Sequence, residues 1–207
     1  MDANNICAVI DAQGYTYGGI FYPREFAFVC KDFYVCFEVV LRDGLPEEPE
    51  VRSHFDFQKR VLHGLPKNQV LKDVSKTITD DQLKTLLLNL YMDARSYENN
   101  LVAIKNHQFR QYLGDINIEF YDLEEICIGG QKCPSMQQFD RFGNNRYCAL
   151  HSELERRLHY RCALRKSFNI WRWINDKTIS DKYFESMAEP IISAESQDSE
   201  DSDHASD

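Results

Sequence analysis

The chain has 207 residues, 43% apolar and 13% aromatic, which suits one domain with an ordinary core. No apolar run approaches the ~20 residues that span a bilayer, and Met1–Asn5 lacks the positive charge that opens a secretory signal. The formal net charge of −9 is concentrated at one end, so it does not describe the folded part.

In chain order, Ile6–Ile10, Ile20–Cys30 and Phe33–Leu41 are dense in Val, Ile, Phe and Tyr. With Gly14, Gly18 and Gly19 and the pair Lys31-Asp32 between them, they predict a three-stranded antiparallel meander. Asp43–Ser53 reads as a Pro- and Glu-rich connector, followed by a short helix over 54–61 that His63-Gly64-Leu65-Pro66 breaks. Thr79-Asp80-Asp81 is a helix start. Leu83, Leu86, Leu87, Leu90 and Tyr91 then form the buried stripe of a helix running to about Arg95. Leu101–Ile104 and Ile118–Leu123 are strands flanking a short helix over Gln108–Leu113, and the β-α-β order predicts that they run parallel. A loop over Ile128–Pro134, a helix from Ser135 to about Arg141 and a long helix over Tyr147–Asn175 complete the folded part.

Ser193–Asp207 holds six acidic residues, five serines and no Lys or Arg. It cannot bury enough apolar surface to order itself. The expected division is a domain over 1–187 and a disordered acidic tail over 188–207, the tail being either a docking segment for a protein partner or a solubilising extension. The seven cysteines are an odd number without a tight framework, so reduced thiols are expected, some of them for metal. The expected location is intracellular, cytoplasmic or nuclear, with no membrane partner, and no pattern sets an oligomeric state.

Three antiparallel strands followed by helix, strand, helix, strand and helix is the element order of the ribonuclease-H-like fold, an α/β class with a mixed five-stranded sheet and helices on both faces. Four segments resemble the DEDDh exonuclease branch of that superfamily. Asp11-Ala12-Gln13 stands where the family has D-x-E, and His63-Gly64-Leu65 resembles its H-G-I. Leu101–Leu113 resembles its strand-plus-helix pattern, and Phe120–Leu123 the following strand. The resemblance implies two Mg²⁺ ions about 4 Å apart, clamped by four carboxylates. Here Asp11 is kept, Gln13 replaces the second acid, and Arg110 falls where the next Asp belongs. His151 has Arg156 at the expected spacing, with Glu155 one residue short. Asp11 and Gln13 therefore read as a vestigial catalytic pair, and the chain leans away from being an enzyme. The alternative, an active divergent 3′–5′ exonuclease using Mg²⁺, would need substitutes among Asp93, Asp115, Asp122, Glu124 and Glu125.

Cys133, Cys148, His151 and Cys162 form the second constellation. C-x2-H at a helix start is good zinc spacing, because thiolate and imidazole suit tetrahedral Zn²⁺; the plainer alternative is a set of buried thiols and a satisfied histidine. This looks like the Maelstrom domain, a ribonuclease-H-like relative without nuclease carboxylates, in which C-x2-H and a later Cys are completed by a Glu. On that resemblance Asp11 or Cys133 would fill the Glu's role. One unbroken helix would hold His151 and Cys162 about 16 Å apart, so either the helix breaks, or Cys133, Cys148 and His151 act with His159 and Cys162 left as ordinary helix residues.

Finally, Arg156, Arg157, Arg161, Arg165, Lys166 and Arg172 crowd one stretch, with Tyr160 and Trp171 interleaved. Cations neutralise phosphates, and aromatic or guanidinium planes stack on unpaired bases. The stretch predicts a surface for single-stranded nucleic acid, RNA by the Maelstrom analogy. The plainer expectation, that of a solvated basic face on a structural or interaction protein, stands beside it.

Overall fold

The β-branched and aromatic density of the first forty residues produces three strands, β1 (Ile6–Tyr17), β2 (Ile20–Cys30) and β3 (Tyr34–Val40). The computed structural model describes residues 3–128, 130–135, 138–139, 148–152 and 162–175. Strand β1 runs well past Asp11 and turns only at Gly18-Gly19, both at positive φ, where glycine carries no steric cost.

Helix α1 (Pro49–Gln58) begins inside the stretch read as a connector, because Pro49 is pre-set for the first turn and Glu50 complements the helix dipole. After β4 (Thr77–Thr79) comes α2 (Asp80–Ala94), opened by a capping box between Thr79 and Gln82. Then follow β5 (Leu101–Ile104), α3 (Arg110–Gly114), β6 (Phe120–Asp122), α4 (Ala149–Ser152) and α5 (Ala163–Asn175). The expected long helix over 147–175 is thus represented by two helices, with residues 153–161 outside those described. The expected helix at 135–141 falls partly outside them, and the tail from 188 wholly so.

The sheet is mixed and has six strands, in the order β4-β3-β2-β1-β5-β6. Strands β1, β2 and β3 pair antiparallel, while β5 and β6 add in parallel beside β1, as the β-α-β order requires. The expected count of five is corrected by β4, which pairs parallel with β3. Three residues are too few for a periodicity, so only the pairing reveals it.

Leu83, Leu87 and Leu90 of α2 pack on Ala8, Ile10, Phe26 and Phe28 at one face. On the other face, Ile170 and Trp173 of α5 pack with Val9 and Ala103, and its Ala163 and Leu164 with Ala27 and Val29. Side chains alternate across a strand, so Asp11, Glu25 and Cys36 belong to this second face.

A bulge shapes that face. Gln13 pairs with Glu25 but Gly14 pairs with Pro23, which leaves Arg24 as the extra residue of β2. A Cβ on Gly14 would lie 2.1 Å from the Tyr22 carbonyl oxygen, a backbone atom that cannot swing away. Gly14→Ala is expected to cost about 3 kcal/mol, the upper range of overpacking. A chemical denaturation curve checks this, and an unchanged midpoint would contradict the bulge.

Candidate metal centre

Four buried donors from three parts of the chain converge under α5: Glu25 of β2, Cys148 just before α4, His151 on α4, and Cys162 just before α5. One ligand atom from each lies within 4.8 Å of every other. The close approach that one unbroken helix would forbid is met, since the His151 and Cys162 ligand atoms lie within 4.8 Å of each other and Cys162 itself precedes α5.

Glu25 Oε1 stands at the middle. The Cys148 thiol donates to it at 2.8 Å and the Cys162 thiol at 3.3 Å, and His151 Nδ1 approaches to 3.2 Å. Glu25 Oε2 accepts from the Ala163 backbone N–H at 2.9 Å, which ties the carboxylate to the start of α5. Burial pulls the His151 imidazole down, but the Glu25 carboxylate outweighs it and the pKa is pushed up to about 10. Burial works to raise the Glu25 carboxyl, and the facing His151 reverses this and holds it below its ordinary value. For Cys162, the thiol–thiol contact with Cys148, burial and the Glu25 charge all favour the neutral thiol.

This donor set fits a metal ion. Two sulfurs, an imidazole nitrogen and one carboxylate oxygen are the ligand types of a closed tetrahedral site, with bond lengths of about 2.0–2.3 Å. A group of this span needs only small side-chain shifts to close on an ion. The group could therefore hold a metal, and its chemistry is consistent with zinc. A bound metal would supply a cross-link between β2 and the two C-terminal helices, in place of the hydrogen bonds that Glu25 makes with Cys148, His151 and Cys162.

Two expectations change. Cys133 is not a member of the group. It is buried with Ile6, Val9 and Phe139, and its backbone carbonyl accepts from Lys105 Nζ at 3.2 Å. Nor is Asp11 the missing acid; Glu25 is. The signal was present in the sequence, because Arg24-Glu25 places charge within a strand whose other residues are mostly apolar, and buried charge demands partners. His159 lies outside the described residues.

Asp11 sits one strand away, fully buried, and is matched by an ammonium. Lys166 of α5 donates from Nζ to Asp11 Oδ1 at 2.8 Å and to the Lys105 carbonyl at 2.9 Å, while Gln13 Nε2 donates to Asp11 Oδ2 at 2.6 Å. Burial raises the Asp11 carboxyl, and Lys166 and Gln13 oppose that rise. Arg110 performs a similar service for Asp122, with Nε 2.5 Å from Oδ2, and reaches Glu125 at 2.6 Å. Among the described residues no group of three or more acids gathers beside Asp11.

Outside this pair a cleft of about 690 Å³ opens between the β1–β2 hairpin, α1 and the end of β5. Lys166, Lys105, Gln13, Asn106 and the acid Glu124 are among its polar residues, and Tyr17 and Phe57 are among its apolar ones. Asp11 is not part of the lining.

The expected basic surface takes a different form. Arg165 and Lys166 are 7% and 8% exposed, so neither belongs to an open face. Trp171 packs against the core clusters, and Arg172 alone of the described cations in this stretch is exposed. Arg156, Arg157, Tyr160 and Arg161 fall outside the described residues. None of the helices is long and apolar enough to cross a membrane among the described residues. No family model matches the chain, and no curated protein or solved structure does.

Proposed function

We propose that the chain is a zinc-stapled, ribonuclease-H-like domain that binds single-stranded nucleic acid, RNA in preference, without cleaving it. The carrying observation is the Lys166 ammonium on Asp11. A fixed internal cation sits where a two-metal nuclease needs a dissociable one, and the carboxylate is sealed behind it. The Glu25, Cys148, His151 and Cys162 group supports the zinc part, and it supplies the Glu of the Maelstrom resemblance from β2.

The cleft supports the binding part. Its volume lies within the range of small-ligand sites. The half-buried Lys105 ammonium is the cation this reading assigns to phosphate, amides offer donors and acceptors to base edges, and exposed Phe57 and Tyr17 provide stacking surface. On this reading the phosphate-binding cation is Lys105 of the cleft rather than the Arg-rich stretch.

Fluorescence anisotropy with a labelled single-stranded RNA tests the reading. Binding is expected to weaken linearly in log–log salt, with a slope of about −0.7 for each phosphate contacted. Phe57→Ala removes a stacking platform worth about 1–3 kcal/mol per base and is expected to weaken binding about tenfold. The labelled strand is expected to stay intact in Mg²⁺ or Mn²⁺. Cleavage by the wild type that Asp11→Asn abolishes would establish the exonuclease instead, and no salt-dependent binding would leave a purely structural domain.

A further inference from the structure

The metal group has a fifth donor beside it. Cys36 of β3 pairs in register with Ala27 of β2, two residues from Glu25 along the same face. Its thiol points at Glu25 Oε1 from 4.0 Å, and its side chain packs into the cluster containing Cys148 and Cys162. One carboxylate oxygen is therefore the focus of three sulfurs and an imidazole nitrogen, at 2.8, 3.3, 4.0 and 3.2 Å. These four surrounding donors are themselves a complete Cys3His ligand set.

We propose that Cys36 is the alternate fourth ligand of this centre, exchanging with Glu25 on the bound ion. The exchange forms a sulfur–metal bond, breaks the carboxylate–metal bond and passes the Cys36 thiol proton to the freed Glu25 carboxylate. Total charge in the buried site is unchanged, so the swap carries no added cost of burying a charge. The Ala163 N–H at 2.9 Å from Glu25 Oε2 holds the carboxylate after it leaves the ion. Cys36 is half-buried, while Cys148, His151 and Cys162 are buried. With Glu25 bound the donors are two sulfurs, one nitrogen and one oxygen. With Cys36 bound there are three sulfurs and one nitrogen, a softer set that favours zinc and other thiophilic ions over hard ones.

The inference rests on the metal reading above, and one titration separates their failures. Full-length protein freed of metal is loaded with Co²⁺, whose ultraviolet thiolate charge-transfer band grows with the number of bound sulfurs, and then competed with Zn²⁺. Wild type is expected to show a two-thiolate band. In Glu25→Gln the band is expected to rise about one and a half times, and zinc affinity to stay within about tenfold of wild type because Cys36 steps in. In Glu25→Gln/Cys36→Ser the band is expected to return to its two-thiolate height, with zinc binding weakened more than about 100-fold, since only three protein ligands remain. Glu25→Asp, one methylene shorter, gives the same two readouts if the Gln variant does not fold. A Glu25 variant that binds zinc as poorly as the double variant, with no growth in the band, overturns the role of Cys36. Wild type that takes up neither ion overturns the metal reading as well.

Discussion

Chelating the metal is expected to lower the melting temperature by about 8–16 °C. An ion present at about a thousand times its dissociation constant stabilises the folded chain by about 4 kcal/mol. For a domain of this size each kcal/mol moves the midpoint by about 2–4 °C. The effect is large because the four ligands lie on β2 and before or on the two C-terminal helices, so their loss frees one face of the sheet. The sign with pH follows from the protons. Zinc displaces the thiol protons of Cys148 and Cys162 and the proton that Glu25 holds on His151, so its affinity climbs as pH rises. In the metal-free protein the Glu25–His151 pair acts in the opposite sense. Raised to about 10, His151 contributes stability that is complete below its ordinary pKa and lost as pH climbs through 10. Thermal melts with and without chelator at pH 6 and pH 8, alongside zinc analysis of the purified chain, check both statements. Equal midpoints and no zinc would remove the structural staple.

Replacing Lys166 by Met is expected to destabilise the chain by about 3–5 kcal/mol, because it leaves the Asp11 carboxylate buried without its cation. At about 2–4 °C per kcal/mol the melting midpoint falls by about 6–20 °C. The combined variant Asp11→Asn/Lys166→Met removes both charges together and is expected to recover most of that loss. The double-mutant cycle separates the pair from its surroundings. Should Lys166→Met melt with the wild type, the ion pair would contribute nothing and the case for a plugged catalytic site would weaken with it. Neither Lys166 nor Asp11 belongs to the metal group, so the loss is expected without any change in metal content.

Most of the strand framework is legible because it depends on local spacing. The apolar runs at the start of the chain, the Thr79 cap, the Leu stripe of α2 and the β-α-β order each use neighbours within a few residues. Cys148, His151 and Cys162 are legible for the same reason, since C-x2-H is a local pattern. Glu25 is legible only as a charge within an apolar strand that demands some partner; its role as a fourth donor is not, because that depends on where β2 lies relative to residues more than a hundred positions later. Lys166 misleads for a related reason: beside Arg165 it reads as one of a row of surface cations, yet α5 turns it onto Asp11, 155 residues away.

By itself, then, the amino-acid order determined an α/β chain with a meander, a parallel pair and an Arg-rich stretch after a thiol–imidazole motif. Tertiary structure alone decided that β4 joins the sheet, that Glu25 rather than Cys133 or Asp11 meets the two cysteines and the histidine, and that a lysine neutralises Asp11. The physical reason is one of range. Hydrophobic period and capping act within a turn or a strand, whereas a buried charge finds its partner only after register and helix rotation have put two distant side chains within 3 Å, as for the Lys166–Asp11 pair at 2.8 Å.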